Sequence, residues 1–229
     1  MTNTQEPNAH TTAIVLLNYN GRALLEQFLP QIVATPHAEV YVADNNSSDD
    51  SLAFLQQHYA DTVHIIALER NYGFAEGYNI ALRQICATYY VLLNTDVAVT
   101  AGWLQPLIAT LEADATLAAV QPKIRAYSSP TLFEYAGGAG GYLDVLGYPL
   151  CRGRIFDTLE ADTGQYDAAV ACAWASGACM AVRARTFHAF GGFDGSFFAH
   201  MEEIDWCWRV RRAGFGIMAQ PARLGGAGS

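Results

Sequence analysis

The fold class is decided by the stretch YYVLLNTD, residues 89–96. Its first five residues are aromatic, aliphatic or β-branched without polar alternation, which is typical of a strand buried on both faces. The run stops at Asn94-Thr95-Asp96, where such a strand must meet solvent. In open α/β sheets, ligands bind just outside the carboxyl ends of the strands. Because a simple turn is the ordinary alternative for these residues, the rest of the chain has to decide between the two.

Strands and helices alternate before this stretch. Strands are predicted at residues 13–17, 40–43 and 63–68, and helices at 22–33, 52–59 and about 75–86. This alternation with short connections predicts a parallel sheet with right-handed crossovers and helices on both faces. All four strands end in polar residues, namely Asn18, Asp44, Arg70 and Asp96. We expect these ends to project towards one rim of the sheet, and this convergence indicates a ligand site.

The pattern changes after Asp96. A helix at 103–111 and a strand at 117–124 precede a long irregular region, residues 127–167, which is rich in Gly, Pro, Ser and aromatic residues. Such a region within a compact domain is usually functional, and its apolar content favours an ordered surface. The remaining predicted elements are two paired strands at 169–174 and 178–183, helices at 184–190 and 202–213, and a last strand at 214–219.

Composition limits the classes of partner and compartment. The net charge of −9 argues against nucleic acid, because phosphate contacts require a basic face. A small anionic ligand remains compatible, since backbone dipoles, a few arginines or a bound metal can hold it.

The five cysteines contain no C-x-x-C pair and are predicted to be buried thiols in a reducing compartment. No apolar run reaches the ~20 residues of a membrane span, and residues 1–11 lack signal-peptide features. We therefore expect a disordered lead-in at 1–11 and a cytoplasmic protein.

Two acidic groups are candidates for chemistry. Asp44 ends the second strand, where dinucleotide-binding folds place an acid on the ribose, but the glycine-rich fingerprint is missing. A polar loop that caps the next helix is an equally good interpretation. Glu202, Glu203 and Asp205 begin a predicted helix, where acids commonly complement the dipole. Because aromatic residues surround them, a raised pKa and a role as a base are the alternative. The aromatic ring of Trp174 is interpreted either as part of the core or as a surface on which a sugar stacks.

Taken together, the motifs resemble those of family 2 glycosyltransferases with a GT-A fold, and in particular the bacterial branch that includes rhamnosyltransferases. The resemblance covers residues 13 to about 217 and rests on a set of short segments that occur in family order. The segments are IVLLNYNG (14–21), VADNNSSD (42–49), NYGFA (71–75) with Asn79, LLNTD (92–96), ASGA (175–178), GGFD (191–194) and FFAHMEEID (197–205).

The resemblance implies a role for each matched residue. On the donor side, residues that would hold the base and ribose of a nucleoside diphosphate sugar, or line the same side, are Asn18, Tyr19, Asp44, Asn45, Arg70, Asn71 and Asn79. Asn94 and Asp96 occupy the D-x-D position, and Asp96 would bind Mg²⁺ or Mn²⁺ against the diphosphate. Glu203 would be the general base, with Glu202 or Asp205 as alternatives. Trp174, Gly177, Glu202 and Asp205 would lie on the acceptor side.

The implied activity is that of an inverting, metal-dependent glycosyltransferase. It would move a sugar from a dTDP- or UDP-linked donor to a saccharide or lipid-linked saccharide in surface polysaccharide assembly. Residues 12–125 would form the nucleotide-sugar-binding half of the domain, and 126–229 the acceptor-side and catalytic half.

Two departures from the family pattern support an alternative function. Asn94 replaces the first acid of D-x-D, and residues 221–229 have the expected glycines without the usual metal-binding His. We expect a truncated C-terminus, whose missing segment would mediate peripheral membrane association at the inner face of the cell membrane. The alternative is therefore a nucleotide-sugar-binding domain with little or no turnover. A nucleotidyltransferase is a weaker third interpretation, since residues 18–22 lack its basic glycine-rich loop.

Overall fold

The computed structural model describes residues 11–225, with the side chains of residues 223 and 225 left out. The predicted lead-in at 1–11 therefore lies outside the described residues, apart from Thr11. The Thr11 carbonyl accepts hydrogen bonds from the backbone N–H groups of Thr88, at 2.9 Å, and Tyr89, at 3.2 Å. The glycine-rich residues after 225 also lie outside.

The described residues form twelve strands and six helices. The strands are β1 (Thr12–Asn18), β2 (Glu39–Asp44), β3 (His64–Ala67), β4 (Tyr89–Leu93), β5 (Leu117–Arg125), β6 (Gly141–Leu143), β7 (Pro149–Cys151), β8 (Arg154–Ile155), β9 (Thr158–Leu159), β10 (Val170–Cys172), β11 (Cys179–Arg183) and β12 (Gly216–Gly225). The helices are α1 (Arg22–Val33), α2 (Ser51–His58), α3 (Gly73–Leu82), α4 (Leu104–Ala113), α5 (Ala184–Ala189) and α6 (Glu202–Arg212).

An eight-stranded sheet organises the molecule, in the order β10-β12-β5-β11-β4-β1-β2-β3. Strands β3, β2, β1 and β4 are parallel, and β12 is parallel to β5. Antiparallel contacts join β11 to β4 and β5, and β10 to β12. Two small sheets, β6-β7 and β8-β9, lie outside it. The predicted fold class is confirmed, with a mainly parallel central sheet and a smaller β region.

Both faces of the sheet are covered because side chains alternate along each strand. In β1, Ile14 and Leu16 pack into the core that contains α1, α2 and α4. Ala13 and Val15 pack into the opposite core, with α3, α5 and α6. All five residues of β4 are buried, as the uninterrupted apolar run at 89–93 predicts. The polar residues that follow, Asn94-Thr95-Asp96, therefore lie at the rim of a sheet whose two faces are covered by helices.

The predicted pairing of the strands at 169–174 and 178–183 is wrong. Strand β10 pairs with β12 at the edge, whereas β11 lies between β4 and β5. The physical reason is burial. The first four residues of β11 are buried on both faces, which suits a central strand, whereas β10 is partly exposed and suits an edge. A local hairpin would have left the apolar edge of β4 exposed.

The irregular region, residues 127–167, is attached to the sheet by a buried charge. Lys123 of β5 is 2% exposed, and its Nζ donates to Asp162 Oδ1 at 2.8 Å and also to Asp167. Lys123 also lies 5.8 Å from the ring centroid of Phe133. Since an unpaired buried ammonium would be strongly unfavourable, these contacts hold the region against β5.

The cysteines agree only in part with the prediction of buried thiols. Cys172, Cys179 and Cys207 are buried and free, whereas Cys151 is half-buried and Cys86 is exposed. Within residues 11–225, no helix has the length and apolar character that crossing a membrane would require.

Candidate active site

A buried polar network joins the carboxyl ends of β1 and β2. Asn18 is fully buried, and its Nδ2 donates to Asp44 Oδ1 at 3.0 Å. Asp44 also accepts from the hydroxyl of Ser47, at 2.6 Å, and from its backbone N–H, at 2.9 Å. In the described part of the chain, buried Asn18 Oδ1 has no hydrogen-bond partner. Next to it, Tyr19 is exposed at the rim. The network holds Asp44 in place and leaves one buried acceptor, Asn18 Oδ1, without a partner among the described residues.

Two asparagines tie the end of β2 to the loop before α3. Asn45 Nδ2 donates to Asn71 Oδ1 and to Gly73 O, both at 3.0 Å, and Asn45 Oδ1 accepts from Tyr72 N at 3.0 Å. Both polar atoms of this buried side chain are thus engaged by the protein. These contacts position the loop before α3, and the role of Asn45 in holding the base or ribose stays a prediction. Arg70 is exposed, with its guanidinium 4.7 Å from the ring centroid of Tyr72.

Asn79, another residue predicted on the donor side, is hydrogen-bonded within the protein. Its Nδ2 donates to Phe193 O at 2.8 Å and to Glu76 Oε2 at 3.0 Å, and its Oδ1 accepts from Phe193 N at 3.0 Å. The residue is buried within α3. Its amide therefore fixes the GGFD turn to α3, and the sequence alone could not distinguish this use of an amide from ligand binding.

Asp96 lies just past the end of β4. The Asn94 backbone N–H donates to Ala178 O at 3.0 Å, which ties this turn to the residue before β11. Burial raises the pKa of Asp96. Among the residues that the structure describes, none forms a hydrogen bond with its buried Oδ1. An unpaired buried carboxylate oxygen is unfavourable, and a hard divalent cation is a ligand that would satisfy it.

The chain enters α6 through two residues with a left-handed backbone, His200 (φ 72°) and Met201 (φ 75°). Consecutive non-glycine residues in this region are strained, and such strain is common at functional sites. The Phe198 carbonyl accepts from Phe74 N at 2.7 Å, which attaches this turn to the start of α3. The first turn of α6 then carries Glu202 and Glu203 next to this attachment.

The two glutamates share a desolvated environment. Burial raises the pKa of Glu203 to about 7, with a further contribution from the charge of Glu202 and opposing hydrogen bonds from backbone N–H groups that include Gly177. Burial also raises the pKa of Glu202, against the charge of His200. Within residues 11–225, the buried Oε2 atoms of both glutamates lack hydrogen-bond partners. A carboxylate that titrates near pH 7 is suited to general base catalysis.

Two residues predicted on the acceptor side have structural contacts instead. Trp174 is 3% exposed, and its Nε1 donates to Tyr142 O at 2.9 Å. A Cβ at Gly141 would lie 1.8 Å from the Trp174 ring, so the glycine run at 137–141 wraps this side chain and covers it. Asp205 pairs with Arg209 at 2.8 Å. The ring is thus part of the core and Asp205 orients an arginine, while their placement on the acceptor side stays a prediction.

Three residues from the irregular region border the site and were missed by sequence reasoning. Burial raises the pKa of Glu134, and the charge of Asp96 raises it further, whereas Arg154 lowers it. The half-buried Cys151 thiol is affected by the charges of Arg154, Glu134 and Glu203. These residues link the Asp96 side of the site to the Glu203 side. Because the region has no periodicity, only the charged residues beside its glycines were available as a signal.

A cavity of about 810 Å³ lies elsewhere, beside the start of β1. It is lined mainly by neutral side chains that include Thr12, Thr35 and Trp103. None of the predicted site residues lines it. The predicted site residues lie at the opposite end of β1, where Asn18 pairs with Asp44.

A family profile settles the classification. Residues 13–180 match the family described as "Glycosyl transferase family 2", a span that contains the network at Asn18 and Asp44 and the turn at Asp96. The chain belongs to glycosyl transferase family 2. The family resemblance found in the sequence motifs is thereby confirmed.

Curated relatives of this family 2 chain act in glycan assembly. It is 23% identical over 210 residues to the low-salt glycan biosynthesis hexosyltransferase Agl10 of Haloferax volcanii, covering 90% of this chain and 63% of the relative. It is 26% identical over 224 residues to the N-acetylglucosaminyl-diphospho-decaprenol L-rhamnosyltransferase of Mycobacterium tuberculosis, covering 88% and 71%. It is also 26% identical to rhamnosyltransferase WbbL of Escherichia coli, covering 91% and 80%. The chain thus spans less than two thirds of the archaeal relative.

Solved structures share the fold of this family 2 chain. GalNAc-T7 with UDP, GalNAc and Mn²⁺ superposes with a TM-score of 0.76 at 17% identity, covering 96% of this chain and 44% of that protein. The mannosyltransferase PcManGT of Pyrobaculum calidifontis, in complex with GDP-Man and Mn²⁺, gives 0.67 at 18% identity, covering 94% and 56%. At these identities the likeness establishes the fold.

Proposed function

We propose that this chain is an inverting, metal-dependent glycosyltransferase that uses a dTDP- or UDP-linked sugar. The acceptor would be a saccharide or a lipid-linked saccharide in surface polysaccharide assembly. One observation carries the proposal: Asp96 and Glu203 each present a buried carboxylate oxygen that has no hydrogen-bond partner within the described residues. The curated relatives, which include enzymes named for transfer of rhamnose or another hexose, support the same reaction class.

The donor would bind at the ends of β1 to β3. Tyr19 offers an exposed ring, Asn18 Oδ1 a buried acceptor and Asp44 a rigidly held carboxylate. Arg70 is exposed beside the same loop and would meet the donor at its edge. Asn45, Asn71 and Asn79 would then act by holding these elements in place. We further propose that residues 12–125 supply the donor side and residues from 126 onward the acceptor side.

The residues at the rim fit a divalent cation, Mg²⁺ or Mn²⁺, only with help from the substrate. Asp96 supplies one carboxylate with a buried oxygen that lacks a protein donor. Mg²⁺ commonly takes one or two carboxylates, waters and substrate phosphates, so a diphosphate would complete the set. When bound, such an ion neutralises charge on the departing diphosphate.

Glu203 would act as the general base. With a pKa of about 7, it is partly deprotonated at neutral pH and still basic enough to accept the proton of an acceptor hydroxyl. The hydroxyl oxygen would attack the anomeric carbon from the face opposite the diphosphate, which inverts the centre. The Gly177 backbone N–H donates to the Glu203 carboxylate and so orients it. No covalent intermediate is required.

A second candidate function is nucleotide-sugar binding with little or no turnover. A specific observation favours it: Asn94 stands where the family's D-x-D motif has its first acid, so Asp96 supplies the single carboxylate of residues 94–96. Under this alternative the donor binds, but neither transfer to an acceptor nor hydrolysis of the donor follows.

The decisive experiment is a thermal-shift screen of UDP-, dTDP- and GDP-sugars with Mn²⁺. The proposal predicts a higher Tm with at least one donor and no shift for Asp96→Ala. A transfer assay with saccharide acceptors then separates the two functions, and NMR of the product's anomeric proton tests inversion. Absence of any metal-dependent shift across the panel would contradict the enzyme, and absence of a shift with every donor, with or without Mn²⁺, would contradict both functions.

A further inference from the structure

Arg154, at the start of β8, occupies an unusual setting beside the site. Its guanidinium carbon lies 3.7 Å from the ring centroid of Tyr135. Its Nη2 lies 3.6 Å from Cys151 Sγ, which is a weak acceptor. Stacking on an aromatic ring holds the planar guanidinium in one orientation while leaving its edge free.

The hydrogen-bonding capacity of Arg154 is largely uncommitted. No carboxylate of the described residues forms an ion pair with it within 4.0 Å. Arg152, two residues earlier, also has no such ion pair, but its guanidinium is engaged by the backbone. It donates to Ala139 O at 3.0 Å and lies 4.3 Å from the ring centroid of Tyr166. Since a guanidinium carries five donors, Arg154 can still bind an anion through two of them.

The backbone next to Arg154 is fixed. A Cβ at Gly153 would lie 2.7 Å from Phe133 Cγ, so the chain packs directly on that ring. The Gly153 carbonyl accepts from Glu160 N at 2.8 Å, and the Glu160 carbonyl accepts from Phe133 N at 3.1 Å. Such support is what a preorganised binding side chain requires.

The surroundings of Arg154 are strongly acidic. The charges of Asp96 and Arg154 act on Glu134, and those of Arg154, Glu134 and Glu203 act on Cys151. The charge of Glu202 in turn acts on Glu203. A nucleoside diphosphate would add further negative charge, which a single divalent ion at Asp96 would not fully offset. A guanidinium is suited to this task because it binds phosphate oxygens in a bidentate manner.

We propose that Arg154 binds the phosphate oxygens of a diphosphate ester between Asp96 and Glu203. This inference rests on the proposed function. The ester is either the donor's nucleoside diphosphate or the diphosphate of a lipid-linked acceptor, which share the same chemistry. In the first case Arg154 stabilises the leaving group, and in the second it orients the acceptor hydroxyl towards Glu203.

The test compares Arg154→Met and Arg154→Lys with wild type by calorimetry in the presence of Mn²⁺. Two ligands are used. The first is the nucleoside diphosphate, among UDP, dTDP and GDP, that binds wild type most tightly, and the second is the corresponding monophosphate. Arg154→Met is expected to weaken diphosphate binding about tenfold or more, as loss of charged hydrogen bonds does, with a much smaller effect on the monophosphate. Arg154→Lys should be intermediate, since it keeps the charge without the fork.

Arg212→Lys is the matched control, because Arg212 also stacks on an aromatic ring, 4.8 Å from the Trp208 centroid, but at the far end of α6. It should bind the diphosphate like wild type. A Tm measurement shows that each variant is folded.

A second arm separates the two sources of the diphosphate. If Arg154→Met binds the nucleotide normally, its KM should rise for a diphosphate-linked acceptor and not for an alkyl-linked one. Unchanged behaviour in both arms overturns the inference while leaving the proposed function intact. Failure of wild type to bind any of the three nucleotides would overturn the proposed function as well.

Discussion

The behaviour of single side chains at this rim follows from how each polar atom is satisfied. The side-chain amides of Asn45 and Asn79 form hydrogen bonds with backbone groups of neighbouring segments. Asp96 and Glu203 hold buried oxygens that no described residue satisfies. The amides of the first pair therefore hold elements together, whereas under the proposed function the oxygens of the second pair would meet a ligand.

Glu203 gives a pH-dependent prediction for activity. Only its deprotonated form can accept a proton, so kcat/KM should rise through about pH 7, the pKa of Glu203, and level off above it. Glu203→Gln should lower kcat at least ~100-fold, because a general base typically contributes about 10²- to 10⁴-fold. Donor affinity should change little. A rate profile that stays flat from pH 5.5 to 8.5 would assign the base elsewhere, with Glu202 as the next candidate.

The same raised pKa makes a prediction for stability. An acid whose pKa rises on folding, here from 4.5 to about 7, favours the folded state when protonated. This contribution is complete below pH 4.5 and is lost as the pH rises through 7. Glu203→Gln should therefore be more stable than wild type above pH 7, by at most about 3 kcal/mol. Urea unfolding at pH 5 and pH 8 checks this, and a difference between the variants that does not change with pH would contradict it.

Asn79 separates a structural role from the donor contact that the family resemblance implies. Asn79→Ala would leave both backbone groups of Phe193 without their amide partner, at a cost of roughly 2–3 kcal/mol. Once the protein is folded, nucleotide affinity should equal that of wild type. Denaturation and calorimetry on the same samples measure the two effects. Weakened nucleotide binding at unchanged stability would restore the donor-side role.

At the scale of elements, the glycine run at 137–141 and Trp174 form one unit. Gly141 passes so close to the Trp174 ring that a Cβ would lie 1.8 Å from it. The backbone of this run then carries the chain on to β6 and β7, next to Cys151. Gly137 and Gly141 are required by this packing on an aromatic ring, which agrees with the failure of the run to match the spacing of a nucleotide-binding fingerprint.

This packing predicts a coupled pair of substitutions. Gly141→Ala should destabilise the protein by about 1–3 kcal/mol or more, as overpacking does. Trp174→Leu would remove much of the ring, so adding Gly141→Ala to it should cost clearly less. Gly102→Ala is the control, since no atom lies within 4 Å of its Cβ position and only its φ of +72° is unfavourable. Additive effects of Gly141→Ala and Trp174→Leu in thermal denaturation would contradict direct packing.

At the scale of the molecule, the two predicted halves are interleaved in one sheet. Strand β11 belongs to the second half of the chain and lies between β4 and β5 of the first. Without it, β5 would have no strand linking it to β4, and one edge of β4 would lose its partner. The two halves of the chain therefore share one sheet.

This topology predicts that residues 1–125 will not fold alone. The isolated fragment should show no cooperative thermal transition by circular dichroism, whereas co-expression with residues 126–229 should restore one. Fragment 1–183, which retains β11 and all its partners in the sheet order, is the matched comparison and should recover more of the transition. A cooperative transition for 1–125 alone would show that the halves are separate folding units.

The sequence by itself determined the order of strands and helices, the mainly parallel sheet and the rim at which polar residues gather. These follow from local periodicity and from the rule that parallel strands end on one side. Tertiary structure decided the rest: the place of β11 between β4 and β5, the burial of Trp174 under glycines, and the approach of Glu134, Cys151 and Arg154 to the acids. Each depends on contacts between residues far apart in the chain, whose partners leave no periodic signal. For the same reason, only the fold distinguishes the asparagines that bind neighbouring loops from the carboxylates whose buried oxygens lack a partner among the described residues.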